Sequence, residues 1–422
     1  MKRCKREGYS KNGIIALCSL VYFVSYFSRK DFAAVMAGMI SEGAIGRSNA
    51  GLVGTMLFAF YGVDQLISGY LGDKLKPKYI LLSGLLATAV CNALMPLISE
   101  WAMIVVWGVN GLAQAMLWPP IVKLLSTYLD HKTYVTANLV VTSAAHVATV
   151  ILYTFVPICL EFMSWSAVFY IASALAFVSI ITFILSLRSI LPDEVYITRE
   201  TSSTEDVPPL DSAERGSILS LLSRSGVVTV FVCIVCCGFL RDGIESWLPT
   251  LYSEAFGAGV SESTLLSVIL PIFSIFSITL VTALHRKRLF NNEVSGSLVL
   301  FAFALICAAL LVVFIGLKGR VFGFISLILA SLISAAMHGV NFLLISCLPG
   351  RFAHTGRAAT VGGICNSCIY VGAAISTYGI ALVSEHFGWG STVLSWCAII
   401  IVAIVFSALS RIKYTATLNG RK

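Results

Sequence analysis

The sequence predicts an all-α membrane protein with twelve transmembrane helices, arranged as two pseudo-symmetric six-helix bundles. Hydrophobic residues make up 58% of the 422 residues and charged residues 12%, whereas about 25% of the residues of a soluble domain are charged. The apolar stretches are continuous and do not alternate with polar residues, which indicates helices and excludes a β-barrel. Two arginines, Arg29 and Arg241, lie inside such stretches half a chain length apart, which indicates two related halves.

Twelve stretches are long enough to cross a hydrocarbon core, which takes roughly 17 to 25 residues. In the first half they are 13–40, 51–72, 79–98, 101–128, 134–160 and 166–187. In the second half they are 226–252, 264–284, 295–317, 321–348, 358–384 and 390–410.

A change of composition separates the two halves. Seven acidic residues gather between Arg188 and Ser223 with Ser, Thr and two prolines, which is typical of a loosely ordered linker. The sequence therefore predicts an N-terminal six-helix bundle at 1–188, a cytoplasmic linker at 189–224 and a C-terminal bundle at 225–422. Trp165 and Trp389 each open the last span of a half. Repeated halves of the same topology predict a binding site between them, near the bilayer midplane.

The distribution of basic residues predicts the orientation in the membrane. Lysines and arginines precede the first span and follow the second, fourth and eighth, and the opposite side carries few. By the positive-inside rule both termini are cytoplasmic, and we expect a multi-pass protein of the inner or plasma membrane. The net charge of +8 then reflects topology, so we expect the lipid bilayer, and no nucleic acid, as its surroundings.

No motif indicates an enzyme, a metal or a cofactor. The sequence has neither a G-x-x-x-x-G-K-S/T loop for ATP nor a G-x-S-x-G nucleophile motif. Most of the twelve cysteines lie in apolar spans, and cysteines there are more often packing residues than ligands. We expect transport energised by gradients, with no cofactor.

The loop after the second span resembles that of the major facilitator superfamily. Gly69-Tyr70-Leu71-Gly72-Asp73-Lys74 is followed by two further lysines. In that family the aspartate and basic residues hold the cytoplasmic helix ends together in one conformation. The resemblance implies a major facilitator fold and a conformational role for Gly69, Asp73 and Lys74.

Several further motifs, in the right order, resemble the organophosphate:phosphate antiporters of that superfamily, which include the glycerol-phosphate and hexose-phosphate carriers. They are Tyr22-x-x-x-Tyr26-Phe27-x-Arg29-Lys30-x-Phe32 in the first helix, Asn110-Gly111-x-x-Gln114-x-x-x-Trp118-Pro119-Pro120 in the fourth, Ala145-His146 in the fifth, Arg241-x-Gly243-x-x-x-Trp247-x-Pro249 in the seventh, and Phe387-Gly388-Trp389 before the last. Together they span the whole chain.

Three positions depart from the pattern of that family. The family lysine four residues after the tyrosine of helix 2 is replaced by Gln65, which follows Tyr61, and Asp64 lies beside it. A tyrosine usual in helix 10 is His338. The loop between helices 8 and 9 has lost the expected aspartate. The resemblance still implies phosphate-type chemistry, and these changes indicate a substrate that differs from those usual in the family.

The two intramembrane arginines are the strongest site candidates. A charged side chain near the bilayer centre is costly and usually faces a cavity, a partner or a substrate. Guanidinium groups match phosphate oxygens in a bidentate way that lysine cannot reproduce, so we expect Arg29 and Arg241 to converge on one anion. The alternative is internal ion pairing, of Arg29 with Asp31 or Asp64 and of Arg241 with Asp242 or Glu245. Substrate binding and internal ion pairing are compatible if the carboxylates pair with the arginines at rest and the anion displaces them.

Weaker candidates complete the predicted site. His146 continues a polar stripe of the fifth helix, and with an unperturbed pKa of about 6.5 it would help to select the charge state of a phosphate. Tyr22, Tyr26 and Tyr61 supply hydroxyls and rings, although aromatic residues in spans are more often packing residues. The remaining candidates would contact the non-phosphate portion of the substrate, although such amides are also interhelical contacts; they are Gln65, Trp118, His338, Asn341 and Asn366.

The sequence therefore predicts a secondary transporter of a phosphorylated organic anion, of the sugar phosphate or glycerol phosphate class, that exchanges it for inorganic phosphate by alternating access and acts as a monomer. Three alternatives stay open. The carboxylates Asp31 and Asp64 would suit a proton-coupled symporter. A sugar-phosphate sensor is the second alternative, because some family members detect sugar phosphates for a partner. A membrane enzyme is the third, and no catalytic constellation supports it.

Overall fold

A computed structural model describes residues 10–74, 76–190, 227–317, 319–355 and 358–419. Every regular element within these ranges is helical, so the all-α prediction is confirmed. The first half contains α1 (Lys11–Ser41), α2 (Arg47–Lys74), α3 (Pro77–Leu94), α4 (Glu100–Ala115), α5 (Trp118–Tyr128), α6 (His131–Phe162) and α7 (Trp165–Ile190). The second half contains α8 (Val227–Phe256), α9 (Val260–Leu266), α10 (Ile269–Arg286), α11 (Glu293–Ile315), α12 (Arg320–Asn341) and α13 (Ala358–Asn419).

Each of the twelve predicted spans corresponds to one helix, to a broken pair of helices or to one arm of a kinked helix. The fourth span is α4 plus α5, interrupted before Pro119, whose missing N–H cannot continue a helix. The eighth is α9 plus α10. Two spans share α13, which Gly388 divides with a φ of 77° into a first arm, 358–387, and a second arm, 389–419. Ten helical stretches in the described ranges are long and apolar enough to cross a membrane, with both arms of α13 counted together. The helix α2 is not among the ten, but its 28 residues extend about 42 Å at about 1.5 Å each.

The tenth span ends irregularly. After Asn341 the chain continues as a π-helix, Phe342–Cys347, and then as a 3₁₀ helix, Leu348–Thr355. Short π segments inside helices are frequent at functional sites. The predicted linker lies almost entirely in 191–226, outside the described residues, so the domain boundaries stay a prediction.

The starts of α1 and α6 lie at the same end of the molecule. The ammonium group of Lys11 donates a hydrogen bond to Asp130 at 2.8 Å, and Asp130 caps α6 by accepting one from the backbone N–H of Thr133 at 3.2 Å. These hydrogen bonds, with that of Lys11 the largest, hold the pKa of Asp130 below its usual range. We call this end, which the sequence predicts to be cytoplasmic, the terminal end, and the opposite one the far end.

The two halves pack along α2 against the first arm of α13, α6 against both α9 and α10, and α1 against α8. The contact of α2 with α13 is close because α2 has glycines there. A Cβ on Gly51 would lie 2.6 Å from the Cβ of Ala381 and 2.9 Å from the carbonyl oxygen of Thr377. The hydroxyl of Thr55 donates to the carbonyl of Ala374 at 2.7 Å. Small residues at such crossings let the helix backbones approach each other in a membrane.

Polar contacts between the halves close the far end. Arg47, at the start of α2, forms an ion pair with Glu254 near the end of α8 at 2.5 Å. The indole N–H of Trp389 donates to the other oxygen of Glu254 at 2.8 Å, and Ser48 donates to Glu385. We call these five residues the far-end seal.

Candidate functional site

A cavity of about 780 Å³ lies between the two halves. Its wall extends toward the terminal end, from Tyr153 to Thr136 along α6 and to Thr279 on α10. At the far end it stops beneath the far-end seal. Ten of the predicted site residues line this cavity, namely Tyr22, Tyr26, Arg29, His146, Arg241, Asp242, Glu245, His338, Asn341 and Asn366.

Arg29 is a buried cation that forms no ion pair with any of the described residues. It is 9% exposed, and its Nε forms no hydrogen bond. No carboxylate in the described part of the chain forms an ion pair with it, so the predicted alternative of a pair with Asp31 or Asp64 is wrong for this structure. A buried guanidinium without a carboxylate needs another source of negative charge.

Tyrosine rings surround Arg29 on the side of α2 and α13. The guanidinium carbon lies 4.1 Å from the ring centre of Tyr26 and 5.2 Å from that of Tyr61. The ring of Tyr61 in turn contacts that of Tyr370 at 4.3 Å. Cation–π contacts of this kind hold a guanidinium group in place without neutralising its charge. Tyr370 lines the cavity, whereas Tyr61 lies behind it.

Trp118 also lies behind the cavity wall, where its ring contacts that of Tyr22 at 4.7 Å. Tyr22 in turn packs against Tyr26 at 5.0 Å. Trp118 therefore positions the tyrosine rings, and its predicted contact with substrate stays a prediction.

Arg241 lies in the same cavity but already has partners. Its Nη2 forms an ion pair with Asp242 at 2.6 Å, and its Nε donates to the same oxygen at 3.2 Å. Its Nη1 donates to the side-chain oxygen of Asn341 at 3.0 Å. Of the two carboxylates proposed as internal partners of Arg241, the structure selects Asp242. Asn341 immediately precedes the π-helix, so this irregular segment positions a side chain that holds the arginine.

Glu245 joins the two halves through contacts with three other residues. One of its oxygens forms an ion pair with Lys30 of α1 at 2.7 Å, and the other accepts a hydrogen bond from Nε2 of His338 at 2.6 Å. The hydroxyl of Tyr153 on α6 donates to the backbone carbonyl of Glu245 at 3.3 Å. All four side chains line the cavity, so the network lies within the candidate site.

His146 lies on the polar face of α6, as the sequence predicts. Its Nδ1 lies 3.1 Å from the carbonyl oxygen of Thr142. A carbonyl only accepts, so this bond places the hydrogen on Nδ1 and leaves Nε2 of the neutral ring as an acceptor. Neighbouring hydroxyls also donate to their own backbone, for example that of Thr149 to the carbonyl of Ala145 at 2.9 Å. The α6 wall therefore presents acceptor atoms to the cavity.

Asn366 and Gln65 form a hydrogen bond between the halves. The amide nitrogen of Asn366 donates to the side-chain oxygen of Gln65 at 2.7 Å. Asn366 lines the cavity and Gln65 does not. A substrate contact of Gln65 stays a prediction.

Two predicted groups lie away from the cavity or beyond the described side chains. Asp31 and Asp64 are buried, and each has an oxygen without a hydrogen-bond partner. Gly69, Asp73 and Lys74 belong to α2, but their side chains lie outside the described residues, so their conformational role stays a prediction.

The charges of the cavity favour an anion. Three basic side chains, Arg29, Lys30 and Arg241, line the cavity with two acidic ones, Asp242 and Glu245, so basic groups outnumber acidic groups by one among the described lining residues. No group of three or more His, Cys, Asp or Glu side chains suited to a metal ion occurs among the described residues.

Among the cavity residues that the sequence analysis did not predict, three contact the central side chains, namely Lys30, Tyr153 and Tyr370. Lys30 is part of the quoted first-helix motif, and its position beside Arg29 was the available signal. Tyr370 lies four residues after Asn366, and Tyr153 seven after His146, so helical periodicity would have found both.

Comparison with known proteins gives a consistent picture. The family model of the Major Facilitator Superfamily matches residues 18–377. A probable hexose phosphate transport protein of Chlamydia muridarum is 22% identical over 405 residues, covering 91% of this chain and 87% of its own. The glycerol-3-phosphate transporter of Bacillus subtilis is 24% identical and covers 91% and 88%. The membrane sensor protein UhpC of Escherichia coli is 22% identical and covers 96% and 92%. These names are consistent with the resemblance noted in the sequence.

The fold has a clear counterpart among solved structures. A bacterial homolog of the human lysosomal transporter Spinster, in an inward-facing and occupied conformation, superposes with a TM-score of 0.78 at 13% identity, covering 96% of this chain and 97% of the other. At this identity the likeness shows the fold alone, and it confirms the predicted fold class.

Proposed function

We propose that this chain, which belongs to the Major Facilitator Superfamily, is a secondary transporter that exchanges a phosphorylated organic anion for inorganic phosphate by alternating access. The observation that carries the proposal is Arg29, a buried cation at the wall of a central cavity with no carboxylate partner in the described residues. The hexose phosphate and glycerol-3-phosphate names of full-length relatives supply the substrate class.

The two arginines have different tasks in this proposal. Arg29 receives the phosphate first, because no carboxylate of the described residues has to leave it. Arg241 is held by Asp242 and Asn341, so it joins the phosphate only as these contacts loosen. An anion that binds both arginines draws α1 and α8, and with them the two halves, together.

The organic moiety of the substrate lies against α6. His146 and its neighbouring hydroxyls present acceptor atoms there, which suit the hydroxyl groups of a sugar or of glycerol. The neighbouring wall on α10 is largely apolar, with Leu270, Ile275 and Ile278 beside the hydroxyls of Ser274 and Thr279. The organic moiety therefore meets a polar wall on its α6 side and a largely apolar wall on its α10 side.

Closure of the far-end seal, with a cavity that extends to the terminal end, corresponds to the state open to the terminal side. We place both termini in the cytoplasm and the protein in the inner or plasma membrane as a functional monomer, so this state is the inward-facing one. No catalytic constellation is needed, and we assign no enzymatic activity.

Counterflow tests the proposal directly. Purified protein in proteoliposomes loaded with inorganic phosphate should accumulate external radiolabelled glucose 6-phosphate or glycerol 3-phosphate, and unloaded vesicles should not. Arg29→Ala protein is the matched negative control. One relative is named a membrane sensor, and binding of these compounds without exchange would favour that function. If the protein neither binds nor exchanges these compounds, the proposal is refuted.

A further inference from the structure

A buried carboxyl group lies on α1 outside the cavity wall. Asp31 is fully buried, and its Oδ1 accepts a hydrogen bond from the backbone N–H of Phe32 at 2.7 Å. Its Oδ2 is buried and has no hydrogen-bond partner. No cation of the described residues forms an ion pair with it.

Two amides with unused acceptor atoms contact α1 three residues before Asp31. The amide nitrogens of Asn92 on α3 and Asn110 on α4 donate to the carbonyl oxygen of Ser28, at 3.3 and 3.2 Å. Ser28 precedes Asp31 by three residues, and residues at that spacing share a helix face. Both asparagines are fully buried, and the Oδ1 atom of each has no donor.

Three buried acceptor oxygens without a donor therefore belong to side chains of the packed helices α1, α3 and α4. An unsatisfied buried acceptor is unfavourable, and a buried carboxylate without a cation is more so. One proton on Oδ2 of Asp31 removes the charge and converts this oxygen into a donor for an asparagine oxygen.

No charged group of the described residues forms an ion pair that would neutralise the Asp31 carboxylate. Arg29 and Lys30 are adjacent in sequence, but Arg29 contacts tyrosine rings and Lys30 contacts Glu245. On the α3 side the titratable neighbour of Asn92 is the buried thiol of Cys91. Near Ser28, α7 contributes the carbonyl of Ala172, which accepts from the Ser28 hydroxyl at 3.4 Å.

We infer that Asp31 is a proton-binding site of the transport cycle: its carboxylate takes up one proton, holds it as a carboxylic acid hydrogen-bonded to Asn92 or Asn110, and releases it when the transporter changes state. The inference rests on the proposed function only for the statement that the proton moves with the organic anion.

The position of Asp31 on α1 supplies the coupling. Successive residues of an α-helix are about 100° apart, at 3.6 residues per turn, so Arg29, Lys30 and Asp31 point to three different neighbours. Release of the proton leaves a buried carboxylate that has to reach water or a cation. Movement of α1 provides this, and the same movement displaces Arg29 in the cavity and Lys30 at Glu245.

Infrared spectroscopy of the purified protein tests the site without any substrate. Wild type should show a carboxylic-acid carbonyl band at neutral pH that Asp31→Asn lacks. Asp64→Asn, which changes another buried carboxyl, serves as the matched control and should keep the Asp31 band. If Asp31→Asn keeps the same carboxylic-acid bands as wild type, the inference is overturned. If Asp31→Asn does not fold, Asn92→Ala and Asn110→Ala remain informative, because loss of the acceptor should lower the pH at which the band disappears. An unchanged pH in both would overturn it.

Transport tests the coupling. In vesicles loaded with unlabelled glucose 6-phosphate, Asp31→Asn should exchange labelled glucose 6-phosphate within about twofold of wild type. An imposed pH gradient, alkaline inside, should increase accumulation several-fold in wild type and leave Asp31→Asn unchanged. Proton coupling is overturned if the pH gradient stimulates both proteins equally or does not stimulate wild type. It is also overturned if a sodium gradient stimulates wild type and Asp31→Asn abolishes that stimulation. Absence of exchange in wild type would refute the proposed function and leave the infrared result standing.

Discussion

Lys30 and Glu245 form an ion pair of 2.7 Å between the first helix of one half and the first helix of the other, inside the cavity. Both side chains are largely buried, and removal of one partner from a buried pair costs about 3–5 kcal/mol. We expect Lys30→Met and Glu245→Met each to lower the melting temperature of the purified protein by several degrees.

The double variant is the control for this pair. Replacement of both buried charges by apolar side chains is often neutral, so Lys30→Met/Glu245→Met should recover most of the lost stability, with a coupling energy of about 1–3 kcal/mol. The partner His338 should lose its acceptor in both Glu245 variants. Additive losses would show that the two side chains act independently.

Replacement of either cavity arginine by lysine should impair phosphate binding and exchange. Lysine keeps the charge and loses the fork, and a charge-assisted hydrogen bond contributes about 1.5–3 kcal/mol, so phosphate affinity should fall roughly 10- to 100-fold in Arg29→Lys. Arg241→Lys also loses the contact with Asn341. Exchange should be abolished in both while expression is retained. Arg47→Lys in the far-end seal, outside the cavity, is the matched control. Exchange near the wild-type rate in either cavity variant would contradict the two-arginine site.

The fold and some of the site were accessible from the sequence for a physical reason. A charge within an apolar run, as at Arg29 and Arg241, is visible without any packing information, and Gly388 before Trp389 marks the break of the last helix. The rotation of each helix about its axis and its depth in the membrane decide which side chains contact each other. Adjacent residues such as Arg29 and Lys30 face different partners, and Gln65 lies behind Asn366. Such contacts between distant helices have no signal in local spacing.

The glycine contact between α2 and α13 should control closure of the far end. A methyl group on Gly51 meets Ala381 and Thr377 at distances that require one helix to shift, so Gly51→Ala should favour opening of the far end. Spin labels at the exposed positions Glu42 and His386 should report a longer distance in this variant. Gly390→Ala is the control, since nothing lies within 4 Å of an added Cβ there. An unchanged distance distribution in Gly51→Ala would contradict this role.

The orientation of the molecule is testable by labelling in a cysteine-free background. Ser261 lies at the far end and Lys287 at the terminal end, after α10. An impermeant thiol reagent added to intact cells should modify Ser261→Cys and should modify Lys287→Cys only after permeabilisation, because the basic loops are predicted to be cytoplasmic. Labelling of both from one side would reject the twelve-span topology.

The replacement of the family lysine by Gln65 predicts weak binding of inorganic phosphate. Gln65 accepts a hydrogen bond from Asn366, a residue of the cavity wall, so a lysine at this position lies one layer from the anion and its longer stem can extend past the asparagine. A unit charge ~6 Å from a phosphate charge contributes about 3 kcal/mol at an effective dielectric constant of ~20, and desolvation of the ammonium group offsets some of this. We expect Gln65→Lys to bind inorganic phosphate about tenfold more tightly, measured by ligand-induced thermal stabilisation and by competition in exchange. Gln65→Met separates the two effects of the change, because it also loses the hydrogen bond with Asn366 but adds no charge, and its affinity should not rise. An unchanged affinity in Gln65→Lys would mean that position 65 does not act on the anion, and an equal gain in Gln65→Met would assign the effect to release of Asn366.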